Sequence, residues 1–151
     1  QESFDLADIG RTTFYAHFEA KDDLLNSLCT EIFDHVFSED LKKEKTHDFS
    51  DHRDTRTMIT HVLYHLQEHM DYLPGLVAGE SGEVFMLFFR QHLKELFSAM
   101  VPASAYQAPY DYVLHHMVCD FAETVRWWTE NRQYSPEEIS AFFFETTTAL
   151  E

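Results

Sequence analysis

His61, His65 and His69 recur at every fourth position, with Glu68 and Asp71 beside them. Imidazoles one helical turn apart share a face, so two of them could grip a divalent metal ion. The competing reading places them on the polar flank of an amphipathic helix, in a chain that holds 10 His in all. With no CxxC or HExxH context, no metal or other cofactor is expected. His115 and His116 are adjacent, and neighbours on a helix diverge, so they do not chelate together. Cys29 and Cys119 lie inside apolar helical patterns and suggest neither a disulfide framework nor a zinc site. There is no Gly-rich phosphate loop, GxSxG elbow or HExxH, and the acidic residues read as solvated helix faces. No catalytic residue is assigned and no enzymatic activity is expected.

A different chemistry sits in the opening segment, Asp8-Ile9-Gly10-Arg11-Thr12-Thr13-Phe14-Tyr15-Ala16-His17-Phe18. Phe14 and Phe18 are one turn apart, so one face can be anchored in a core while Arg, Thr, Tyr and His face outward. Helix-turn-helix proteins divide their recognition helix in this way. Small polar and basic residues meet base edges and phosphates, and a Gly permits the tight turn before them.

The elements that must position these residues are helical. The chain has 151 residues, of which 44% are hydrophobic and 15% aromatic, enough for one globular domain with a real core. Only 4 Gly and 4 Pro leave few tight turns for a sheet architecture, so an all-α fold is expected. From Lys21 to about Lys45, Leu25, Leu28, Ile32, Val36 and Phe37 form one stripe, with Asp22 and Asp23 in the first turn and lysines in the last. A polar loop to Asp54 follows. A second helix from about Thr55 to Tyr72 carries Ile59, Val62, Leu63, Leu66 and Met70 and stops near Pro74-Gly75; a short turn or helical fragment runs to about Ser81.

The next helix, Glu83 to about Val101, opens apolar on every side, which predicts burial all round. From Pro109 to Asn131 the residues Tyr110, Leu114, Met117, Phe121, Val125 and Trp128 alternate four and three apart, a seam that packs against other helices. The last helix begins with Ser135 as N-cap, Pro136 at the first position and Glu138 completing a capping box. Its stripe is Ile139, Phe142, Phe143, Thr146 and Leu150. Trp127 and Trp128 point about 100° apart, so one can be buried and the other can reach a partner. A homodimer built from these last two helices is therefore expected.

Gly10-Arg11-Thr12-Thr13-Phe14-Tyr15-Ala16-His17-Phe18 followed by Lys21-Asp22-Asp23-Leu24-Leu25 closely resembles the recognition helix and following helix start of TetR-family transcriptional repressors. Arg126 to Asn131 and Ser135 to Glu138 more loosely resemble that family's last two helices. The resemblance implies a partial helix-turn-helix head over 1–21 and a helical ligand-binding and dimerisation domain over 22–151. It implies Thr12 and Thr13 near bases or phosphates, Tyr15, His17 and Lys21 at phosphates, and Arg11 at a base edge or phosphate. It further implies an effector pocket, for which Tyr64, Phe85, Phe88, Phe89, Met117 and Phe121 are the candidates. The four-helix dimer interface would draw on Tyr110, Leu114, Met117, Phe121, Val125, Trp128, Ile139, Phe142, Phe143 and Thr146. Gln1 to Asp5 resembles the end of a first scaffold helix and Leu6 to Asp8 the end of a second, so the reading expects chain of basic character missing between them.

The implied function is a ligand-responsive repressor binding a near-palindromic double-stranded operator as a homodimer in the cytoplasm, away from membranes. Net charge opposes this: 27 acidic against 11 basic residues give −16, whereas phosphate contacts by Lys and Arg supply most non-specific nucleic-acid affinity. The alternative is a helical dimeric interaction module that binds no DNA in this form. A lesser one is a metal-responsive sensor using His61 and His65.

Overall fold

A computed structural model describes residues 20–34 and 54–148. The described residues are all-helical, without a strand. Helix α1 is described over 20–34. It is followed by α2 (Thr55–Glu68), α3 (Leu73–Ala78), α4 (Gly82–Met100), a single 3-10 turn at Ala103–Ala105, α5 (Tyr110–Glu130) and α6 (Pro136–Thr148). The expected stripe of the first helix holds as far as the described residues go: Leu25 and Ile32 are buried, Leu28 is half-buried, and Cys29 and Phe33 join them. Val36, Phe37 and the lysines of its expected last turn lie outside the described residues, as do the polar loop up to Arg53 and the opening segment through Phe18.

Local chemistry accounts for the helix ends. Asp54 caps α2 by accepting from the Thr57 amide at 2.7 Å. Pro74, expected to end the second helix, instead lies in the first turn of α3, where its missing N–H costs nothing. The break falls earlier, at His69 to Tyr72. At α6 the capping box forms in both directions: the Glu138 amide donates to Ser135 Oγ and the Ser135 amide to Glu138 Oε1, each at 3.2 Å.

The α3–α4 corner is closed by a glycine. A Cβ on Gly82 would lie 2.0 Å from the Val77 carbonyl oxygen, so only glycine lets α4 start this close to α3.

Helix α4 packs along α5, α2 lies against α6, and α3 sits against both α4 and α5. The shared core is aromatic: Phe89 meets Phe85, Phe33 and Phe121 at ring-centroid separations of 5.9, 5.7 and 6.2 Å, and Phe121 meets Phe143 edge-on at 5.3 Å. Helix α1 is held to α4 by Phe33 and by His92, whose ring stacks on Phe33 at 5.2 Å and reaches Thr30 Oγ1 at 3.5 Å. The start of α4 is not buried all round. Phe85, Met86 and Phe89 are in the core, but Leu87 is 48% exposed.

Candidate functional site

The two consecutive tryptophans separate as helix geometry requires: Trp128 is 1% exposed and Trp127 is 46% exposed. Trp128 fills the core and donates from Nε1 to the Tyr134 carbonyl at 3.0 Å, fixing the turn between α5 and α6. Trp127 lies on the outside, stacked on Tyr134 at 5.6 Å, and Tyr134 meets Phe142 edge-on at 5.1 Å. Phe142 is 37% exposed. Beside this aromatic row a groove of about 470 Å³ runs between α5 and α6, floored by Ile139 and Phe143 and rimmed by Asp120, Glu123, Thr124 and Thr146. Aromatic residues are enriched at interfaces, and this strip presents Trp127 and Phe142 within a polar rim of two carboxylates and two hydroxyls.

The residues expected in a dimer interface divide sharply. Leu114, Phe121, Val125, Trp128, Ile139 and Phe143 are buried in the protomer's own core. The heptad-like seam of α5 is therefore intramolecular, satisfied by α4 and α6 before any partner arrives. Tyr110, also assigned to the interface, donates from its hydroxyl to the Val101 carbonyl at 2.5 Å and closes the end of α4. Only Phe142 and Thr146 of the expected set lie on the outer face, and Trp127 takes the exposed place expected of Trp128.

The expected pocket residues are largely solid core. Phe85, Phe89 and Phe121 are fully buried ring against ring, and Phe88 is half-buried beside them. Met117 lines a cavity of about 170 Å³ with Phe97, Tyr106, Phe143 and Phe144. Tyr64 uses its hydroxyl to hydrogen-bond the Glu137 carboxylate, tying α2 to α6. Partial burial, reinforced by the hydrogen bond and negative charge of Glu137, pushes the Tyr64 phenol up to about 12.

Helix α2 carries three of the five buried polar residues among those described, Thr60, His61 and His65; the others are Thr129 on α5 and Ser140 on α6. His61 and His65 are not on a polar flank: they are 0% and 8% exposed. Their Nε2 atoms are 3.0 Å apart and hydrogen-bonded, so one donates and the other accepts. Glu68 Oε2 lies 3.5 Å from His65 Nδ1. Thr60 Oγ1 shares a 2.9 Å hydrogen bond with Ser140 Oγ, a buried link from α2 to α6 that carries no sequence signal. Among the described residues no group of three or more His, Cys, Asp or Glu is placed to hold a metal ion. Of the residues assigned to DNA, Arg11, Thr12, Thr13, Tyr15 and His17 lie outside the described residues. Lys21 is exposed in the first turn of α1.

No described helix is long and apolar enough to cross a membrane. Compared with protein-family models, curated proteins and solved structures, the chain matches none.

Proposed function

We propose that the chain is a DNA-binding transcriptional regulator of TetR-like design, a cytoplasmic repressor that acts as a homodimer on a near-palindromic operator and is released by a small effector. The observation that carries the reading is the segment Gly10 to Phe18 followed by Lys21-Asp22-Asp23-Leu24-Leu25, whose polar and basic residues alternate with two anchoring phenylalanines. The all-helical fold is compatible with it. The exposed Trp127 and Phe142, bridged by the half-buried Tyr134, support a partner on α5 and α6.

The mechanism is geometric. Two recognition helices must be spaced roughly 34 Å apart to enter successive major-groove faces. An effector that binds better to the form with wrong spacing pulls the population off the operator, to the extent of its difference in affinity. The contacts of Phe33 and His92 join α1 to α4, so a shift in the helical core would be felt where α1 leads toward the head.

The test is selection of duplexes from a random pool by the full chain, followed by fluorescence anisotropy on the enriched sequence. A near-palindrome is expected, bound more weakly by Tyr15→Phe and Lys21→Ala, the latter with a shallower salt dependence. A chain that enriches no sequence overturns the reading. The second reading, a dimeric interaction module without DNA binding, is favoured by the net charge of −16. It is supported if the pool yields nothing while the chain sediments as a dimer.

A further inference from the structure

A groove of about 270 Å³ lies between α4 and α5, on a face lined by neither Trp127 nor Phe142. Leu87 and Val118 form its apolar wall, and Arg90, Gln91 and Lys94 from α4 face His115 from α5. Three of the four arginines among the described residues are engaged. Arg126 pairs with Glu83 and Glu123 at 3.3 Å, Arg132 donates to the Met70 carbonyl at 3.3 Å, and Arg56 lies over the Phe144 ring at 5.7 Å. Arg90 is the fourth. It is half-buried, and among the described residues no carboxylate or carbonyl accepts from it, in a chain with 27 acidic residues to choose from. A guanidinium that no described group engages keeps its planar fork of donors available to a ligand, and a carboxylate is the acceptor that matches that fork.

We propose that this groove binds a small aliphatic monocarboxylate, with its carboxylate on Arg90 and its hydrocarbon chain along Leu87 and Val118. Gln91 and His115 supply further polar contacts at the wall. Lys94 contributes less, because Asp111, which also lines the groove, lies 3.7 Å from its ammonium. The same Asp111, inside the groove, selects for a single negative charge and against polyanions. At physiological ionic strength charges beyond about 8 Å are screened, so the local arginine outweighs the distant acids. The exposed Leu87 side chain gives the site its preference for an anion with an apolar tail. This site is independent of the DNA-binding reading.

The test is calorimetric titration of the full chain with hexanoate, with hexan-1-ol and inorganic phosphate as probes that each keep one half of the chemistry. Hexanoate is expected to saturate one site per chain with millimolar or tighter affinity, and Arg90→Gln to weaken it about tenfold or more. Both single-feature probes should bind at least about tenfold more weakly than hexanoate. An unchanged far-UV spectrum for Arg90→Gln assigns the loss to the site. The proposal is overturned by no saturation up to about 10 mM, by equal affinity in Arg90→Gln, or by hexan-1-ol or phosphate matching hexanoate.

Discussion

At the scale of single residues, the two cysteines show how one side-chain type takes opposite characters. Cys29 is completely buried on α1, and that burial pushes its thiol from 9.0 up to about 12. Cys119 is partly exposed on α5, with Sγ 3.8 Å from His115 Nε2. A thiol reagent at neutral pH should therefore modify one thiol per native chain quickly, and the second only after denaturant is added. Cys119→Ser should abolish the fast phase; two fast thiols per native chain would contradict the burial of Cys29. Folding raises the Cys29 pKa, so its protonated form favours the native state fully below the unfolded value. That contribution fades as pH climbs from about 9 toward 12. Sequence placed both cysteines in apolar helical patterns, but only packing separates the inert thiol from the accessible one.

At the scale of elements, what the sequence made legible was local. The capping box of α6 is visible in Ser135-Pro136-Glu137-Glu138 because its partners are three residues apart. Ser135→Ala should cost about 1 kcal/mol, read as a lower midpoint in urea with an unchanged slope. The role of Gly82 was not legible, since the atom it must avoid belongs to the helix before it. Gly82→Ala should cost about 1–3 kcal/mol, although alanine is the better helix former; a neutral or stabilising effect in the same titration would mean that the corner relaxes freely. Pro74 makes the same point. A proline breaks a helix interior but is tolerated in a first turn, and which of these applies depends on where the preceding helix has already ended.

At the scale of the whole molecule, the aromatic surface of α5 and α6 makes a prediction that separates assembly from folding. If Trp127 and Phe142 meet a second copy, Trp127→Ala should weaken the dimer by about 2 kcal/mol or more, roughly thirtyfold in dissociation constant, with little change in the fold of the protomer. Sedimentation across a concentration series measures it. Phe121→Ala, which empties the centre of the protomer, should instead cost about 3–5 kcal/mol of folding stability. A chain that sediments as a monomer throughout would remove the dimer.

Composition and periodicity by themselves determined the all-α class, the main helical segments among the described residues and the core stripes, because each depends on residues within a turn or two of one another. The expected separation of the two tryptophans also followed, from the 100° step of the helix. The tertiary structure decided which of them is buried, and with it which face of α5 is left for a partner. It likewise turned His61 and His65 into a buried hydrogen-bonded pair and left Arg90 facing a groove without an acceptor among the described residues. Spacing reveals that residues share a face of a helix. Whether another helix covers that face depends on contacts between residues far apart in the chain, which periodicity does not encode.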